Sequence, residues 1–149
     1  MRAIIQRVTS ASVSVDGKVI SDIDKGFMIL LGVGQNDSGD DIAWISKKIA
    51  NMRIFNDDEG KMNLSILDIA GEILLISQFT LYADTRRGNR PGFTEAAAPD
   101  LGNKLYEATA DELRKYNIPV SMGIFGADMQ VSLVNDGPTT IILDSEKRK

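Results

Sequence analysis

The chain has 149 residues, 43% of them hydrophobic and 26% charged, with a formal net charge of −4. These are globular values for a single domain able to bury a core, and the acidic balance argues against a general nucleic-acid coat. Cysteine and histidine are both missing, which excludes disulfides, thiolate nucleophiles, Ser-His-Asp machinery and the usual zinc sites.

Met1 to Arg7 lacks the apolar core of a signal peptide, and Phe27 to Leu31, the longest apolar run, is far short of a membrane span. A cytoplasmic protein is expected. Ile4 and Ile5 open a first strand running through Arg7, Val8 and Thr9. Val13 and Val15 alternate with Ser12 and Ser14 ahead of Asp16-Gly17, a strong hairpin signal, with Val19 on the return. Gly26 to Val33 is a continuous apolar run, the pattern of a strand covered on both faces. Together these predict a β-meander.

A helix follows. Ser38 is its candidate N-cap, Asp40 and Asp41 sit at its positive end, Lys47 and Lys48 sit near its negative end, and Ile42, Ile45 and Ile49 form a buried stripe. Arg53-Ile54-Phe55 reads as a short strand. In Asn56-Asp57-Asp58-Glu59-Gly60, setting Gly60 at the sixth position of a calcium loop puts Phe55 where the first ligand belongs. The segment is a turn, and no other ligand set suggests a metal.

Ile73 to Ile76 lead into Ser77-Gln78-Phe79-Thr80-Leu81. Read as the end of a buried strand, this stretch places three hydrogen-bonding side chains where apolar ones pack better, and each needs a partner. They either serve a reaction or satisfy neighbouring backbone. Arg86, Arg87 and Arg90 then cluster in the polar loop from Ala83 to Gly92, and Lys147-Arg148-Lys149 end the chain. The plain reading of both is a solvated loop and a solvated tail.

Pro99 opens a second helix with a stripe of Leu101, Leu105, Ala108/Thr109, Leu113 and Tyr116, and Asn117 ends it ahead of Pro119. Val120, Met122 and Ile124 alternate, as do Met129, Val131 and Leu133, and Thr140 to Leu143 is the last strand. Between the last two runs, Asn135-Asp136-Gly137-Pro138 reads as a turn, with the proline belonging at an edge or an interface. The order predicts a single α+β domain: a curled, largely antiparallel, barrel-like β-sheet with two main helices.

Ser77-Gln78-Phe79-Thr80-Leu81 together with Asn135-Asp136-Gly137-Pro138-Thr139-Thr140 resemble the two signature motifs of D-aminoacyl-tRNA deacylases, the D-tyrosyl-tRNA(Tyr) deacylase family. The likeness spans essentially the whole chain, including Ile5-Gln6-Arg7-Val8, the stretch from Arg53-Ile54-Phe55 through Gly60-Lys61-Met62-Asn63-Leu64, and Phe125-Gly126-Ala127-Asp128-Met129. Thr139 stands where the family most often has Val.

The resemblance implies a hydrolase that cleaves the ester between a D-amino acid and the terminal ribose of tRNA, a chiral-proofreading step in translation quality control. It implies a homodimer with active sites at the subunit interface. With no ligand set in the sequence, no cofactor is expected. The resemblance further implies that Gly137-Pro138 is cis and reaches into the partner's site, and that Arg7 helps hold this motif. Gln78, Phe79 and Thr80 take the catalytic positions, with Ser77, Met129, Arg7, Gly137 and Pro138 binding substrate. Arg86, Arg87 and Arg90 are the candidate tRNA contacts.

An enzyme accepting many D-side chains has to discriminate at Cα, through rigid groups occupying the space an L-side chain needs. Two carbonyl oxygens on a locked dipeptide can do this. Glycine escapes such a filter, so glycyl-tRNA, including glycine mischarged on tRNA(Ala), is an expected substrate. Thr80 has no evident base to activate it as a nucleophile. Backbone N–H groups near Phe79 and Thr80 are the favoured oxyanion donors, with Gln78 orienting the ester or water and the ribose 2′-hydroxyl helping to activate water.

Three alternatives stand beside this reading. A sister deacylase clears mischarged L-alanyl-tRNA, but such proteins carry a trans Gly-Pro and lack an Arg7-type lock. A non-catalytic RNA-binding β-domain explains the arginines as phosphate contacts yet leaves Ser77-Gln78 unexplained. A structural homodimer makes Gly137-Pro138 an interface turn.

Overall fold

The computed structural model describes residues 1–148. In chain order the elements are β1 (Arg2–Val15), β2 (Lys18–Ile23), β3 (Gly26–Gly32), α1 (Gly39–Asn51), β4 (Phe55–Asn56), β5 (Met62–Leu64), β6 (Glu72–Ser77), a 3-10 turn (Phe79–Tyr82), α2 (Pro99–Arg114), β7 (Val120–Met122), β8 (Gln130–Asp144) and a short 3-10 turn (Ser145–Lys147). Among the described residues, no helix is long and apolar enough to cross a membrane.

β1 is the strand on which the sheet is built. Its first half pairs with β3, its second half with β2, and its other edge with β8, all antiparallel. Asp16 and Gly17 both take positive φ, +52° and +79°, the geometry that a two-residue hairpin with the native strand twist requires. The two runs expected on either side of Thr9 are therefore one long strand.

The expectation of a largely antiparallel sheet is corrected: the sheet is mixed. β6 runs parallel to β3, and β7 runs parallel to β6. The connection from β3 to β6 carries α1, and that from β6 to β7 carries α2. Each crossover returns the chain to the end where it started, which forces parallel pairing. The sheet curls until β2 approaches β7, where the Ser21 hydroxyl donates to the Met122 carbonyl at 2.7 Å. The result is a nearly closed barrel backed by two helices.

The alternation of side chains along β3 and β6 divides the core in two. Phe27, Ile29, Leu31, Ile73 and Leu75 pack under the helices with Ile42, Ile45, Ile49, Leu105 and Leu113. Met28, Leu74 and Ile76 face the inside of the curl with Val8, Val13 and Ile23. The apolar run of β3 is thus covered on both faces, as its sequence predicts. α1 begins as its cap signal predicts, with the Ser38 amide donating to the Asp41 carboxylate at 2.8 Å.

Three local expectations change. Arg53 and Ile54 precede β4, which begins at Phe55. The Ser77–Leu81 stretch is not a buried strand end: β6 stops at Ser77, and Phe79 and Thr80 are exposed in the 3-10 turn. Its polar side chains sit where the chain leaves the sheet, so no buried partners are needed. Finally, Asn135 to Thr140 is not a turn between strands, because β8 runs continuously through it.

Candidate active site

The carboxyl end of β6 opens onto a cavity of about 600 Å³. Ser77, Gln78 and Phe79 form one wall, Phe93, Ala96, Ala97 and Pro99 a second, and Phe125, Met129 and Val131 a third. Phe79 and Phe93 meet edge to face with ring centroids 5.0 Å apart, although Phe79 is 55% exposed. The Phe125 ring lies 6.2 Å from Tyr106, whose hydroxyl donates to the Leu75 carbonyl at 2.6 Å. Burial pushes the Tyr106 phenol up to about 12, so it stays a neutral donor. The cavity is a mainly apolar slot with polar groups on one wall, the usual form of a small-ligand site.

That polar wall has a particular construction. The Gln78 amide donates to Leu31 at 2.8 Å and so continues the sheet. The chain then turns, and Leu81 and Ala83 donate back to the Gln78 and Thr80 carbonyls at 3.2 and 3.0 Å. The Phe79 and Thr80 amides, at the start of the turn, have no acceptor among the described residues. First-turn amides are orphaned by helix geometry and favour negative charge. The Gln78 side-chain amide donates to the Thr80 hydroxyl. That contact holds the two side chains together and uses the hydroxyl as an acceptor.

Arg7, Gly137 and Pro138 form a second group. Gln6 pairs with Thr140 and Val8 with Asn135, so four residues of β8, Asp136 to Thr139, oppose Arg7 alone. These four bulge out of the ladder. The Gly137–Pro138 peptide bond is cis, and Gly137 has φ +124°. A Cβ at Gly137 would lie 2.7 Å from the Thr139 hydroxyl and 2.8 Å from Arg7 Nη2, so no side chain fits there. Arg7, only 5% exposed, donates from Nε to the Asp136 carbonyl at 3.1 Å and from Nη1 to the Ile54 carbonyl at 2.6 Å. The Asp136 carboxylate stands 3.6 Å from Nε.

The structure thus brings Ser77, Gln78, Phe79 and Met129 to one cavity, with Thr80 attached through Gln78. Arg7, Gly137 and Pro138 gather elsewhere and do not line that cavity within one chain. The arginine loop is less uniform than its sequence. Arg86 closes a two-pronged pair on Asp84, at 2.9 and 2.7 Å, and this pair holds the Asp84 carboxyl down at about 2. Arg87 and Arg90 are exposed and make no ion pair among the described residues. The solvated tail is corrected at Arg148, which folds back to donate to Asp41 at 2.8 Å because that buried carboxylate needs a partner. Lys149 lies outside the described residues. No group of three or more acidic residues capable of holding a metal occurs among the described residues.

Sequence reasoning found Met129 on the third wall and missed the rest of the two far walls. Phe93 carried a usable signal, a lone aromatic beside Gly92 in a polar segment, whereas Phe125 follows Ile124 in an apolar stretch and carried none. Ala96 and Ala97 carried none.

Fold and site together define the class: a helix-backed, barrel-like α+β protein with an apolar cavity edged by free backbone donors. The comparison with families refines this. The profile of the family described as D-Tyr-tRNA(Tyr) deacylase matches residues 4–144, and the chain belongs to this family of hydrolases. A D-aminoacyl-tRNA deacylase from Thermosipho africanus (strain TCF52B) is 56% identical over 147 residues, covering 99% of both chains. Among solved structures, a c-Myc DNA Unwinding Element Binding Protein superposes with a TM-score of 0.91 at 40% identity, covering 97% of this chain and 98% of the other. A probable eukaryotic D-amino acid tRNA deacylase shares the fold with a TM-score of 0.80 at 18% identity, covering 95% and 97%.

Proposed function

We propose that this protein hydrolyses D-aminoacyl-tRNA to free tRNA and a D-amino acid, in the cytoplasm and without a cofactor. One observation carries the reading: two unpaired amides, Phe79 and Thr80, stand beside Gln78 at the edge of an apolar cavity. The 56% identical relative named for this activity supplies the substrate class. In the reaction, water attacks the ester carbonyl carbon and the two amides hold the developing oxyanion. Collapse breaks the bond to the ribose 3′-oxygen, which takes the proton that the attacking water gives up. Gln78 orients the ester or the water, and the neighbouring 2′-hydroxyl helps to pass the proton. An aminoacyl ester is labile enough for such modest assistance.

Chirality is read by a second copy of the chain. β8 presents Val134 and Ile142 at 55% and 70% exposure along its outer face, an apolar surface suited to a symmetric partner. Across that interface, the bulge at Gly137-Pro138 enters the partner's cavity. Its carbonyl oxygens accept from the substrate ammonium and fill the space an L-side chain needs. Arg87 and Arg90 meet tRNA phosphates, with Arg86 available once it leaves Asp84.

The test is hydrolysis of matched D-, L- and glycyl-tRNA, with and without chelator. Cleavage of the D- and glycyl esters alone, unaffected by chelator, is the expected result. Cleavage of neither moves the assignment to an RNA-binding domain, and cleavage of the L-ester removes the chiral filter.

A further inference from the structure

We propose that Arg2 and Tyr82 are positioning residues that hold the Phe79–Tyr82 turn, and with it the free Phe79 and Thr80 amides, against the end of β3. The inference deepens the deacylase reading of the cavity and rests on it. Neither side chain lines the cavity.

The turn has little to hold it by itself. It is four residues long, closed by few backbone bonds, and short 3-10 segments have poor hydrogen-bond geometry. Donors aimed at a transition state nevertheless need to be held within about half an ångström. The difference is supplied from outside.

On one side the turn lies flush against the sheet. A Cβ at Gly32 would come within 3.0 Å of Leu81 Cβ, and one at Gly34 within 2.8 Å of the Tyr82 hydroxyl. Only backbone without side chains admits so close an approach. Tyr82 fills this contact and is 2% exposed. Its hydroxyl has no hydrogen-bond partner among the described residues, so the ring and not a polar tether does the holding. Burial, helped by Asp37, raises the phenol and keeps it neutral.

On the other side stands Arg2. Its Cζ lies 4.3 Å from the centre of the Tyr82 ring, and its Nη1 donates to the Leu81 carbonyl at 2.8 Å. One guanidinium therefore grips two successive residues of the turn, one by its ring and one by its backbone. Arg2 also approaches the Asp144 carboxylate at 3.5 Å, on the side away from the turn.

Arg2→Met keeps the stem and removes the guanidinium. In deacylation of D-tyrosyl-tRNA it is expected to lower kcat about tenfold, with KM within about twofold, as for a small displacement of catalytic donors. Hydrogen exchange at the Leu81 and Ala83 amides is expected to quicken, and Arg2→Lys to recover part of both effects. Asp144→Asn removes the charge of the outer pair and keeps an oxygen for the Glu146 amide. It leaves the Arg2 contacts to Leu81 and Tyr82 in place, so kcat should stay within about twofold. A folded Arg2→Met with unchanged kcat and exchange overturns the proposal, as does an equal loss in Asp144→Asn. Should Arg2→Met not fold, Arg2→Lys decides by the same criteria. Exchange is read without substrate. Faster exchange in a protein whose wild type cleaves no D-aminoacyl-tRNA therefore supports the anchor while removing the deacylase reading.

Discussion

The Arg7 guanidinium donates to the Asp136 carbonyl at 3.1 Å, joining residues 129 positions apart where β1 and β8 lose register. A second donation, to the Ile54 carbonyl at 2.6 Å, ties the same bulge to the segment before β4. A lysine gathers its donors on one nitrogen and lacks the fork by which Nε and Nη1 reach separate carbonyls. Arg7→Lys is expected to cost about 2 kcal/mol of stability, the worth of a charged hydrogen bond. Deacylation of D-tyrosyl-tRNA should fall more steeply than stability does. Urea unfolding beside steady-state assays checks both, and unchanged values in the two would remove the clamp.

Gly137→Ala puts a methyl group against the Thr139 hydroxyl and Arg7 Nη2, in a backbone conformation with φ +124°. A loss of about 2 kcal/mol follows from left-handed strain plus contact. The expected kinetic result is loss of D-ester cleavage with the cavity otherwise intact. Binding of a non-hydrolysable D-aminoacyl adenosine analogue, followed by calorimetry, separates these two effects.

Thr80→Ala separates the two mechanisms. The Thr80 hydroxyl accepts from Gln78, and its backbone amide is the free donor. Alanine removes the first and keeps the second. Retention of about a tenth or more of kcat is expected, because removing a main oxyanion donor costs a hundredfold or more. Near-complete loss would make the hydroxyl the nucleophile instead.

Asp41 gives the fold an acid-sensitive point. Burial opposes its charge, but the Ser145 hydroxyl, the Ser38 amide and the Arg148 guanidinium outweigh burial and hold the carboxyl at about 2. A carboxyl depressed in the folded state stabilises it above the ordinary value of 3.8, and that stability fades as pH falls toward about 2. Asp41→Asn should therefore be less stable at neutral pH, by about 1–3 kcal/mol for unpaired buried partners. Its stability should also change less between pH 4 and pH 2. Unfolding midpoints measured for both proteins across that window make the comparison.

Patterns that act locally were legible in the sequence. The Ile42, Ile45, Ile49 stripe, the Pro99 start and the Asp16-Gly17 hairpin each carry their own chemistry and each appear in the structure. Strand direction was not legible, because a run such as Ile73 to Ile76 reads the same in a parallel or an antiparallel pair. The crossovers decide it. The wall from Ser77 to Phe79 was visible as misplaced polarity, whereas Phe93 and Phe125 reach it only through tertiary approach. Arg2 lies ahead of the strand expected to open at Ile4 and carried no signal of its own. Its reach to Leu81 spans 79 positions and leaves no local trace.

The bulge on β8 also obeys an arithmetic. From Gln6 to Ser10, β1 spends three intervening residues, while β8 spends five between Thr140 and Val134. The net excess of two combines three extra residues on β8 opposite Arg7 with one extra residue, Thr9, on β1. On its two sides β8 packs against different cores, Val131 inside the curl and Ile141 and Leu143 under the helices. A residue removed or added among Asp136 to Thr139 would be taken up in the bulge, because the flanking pairs Gln6–Thr140 and Val8–Asn135 fix the faces of the two halves of β8. The projecting loop can therefore change length without turning Ile141 and Leu143 out of the core.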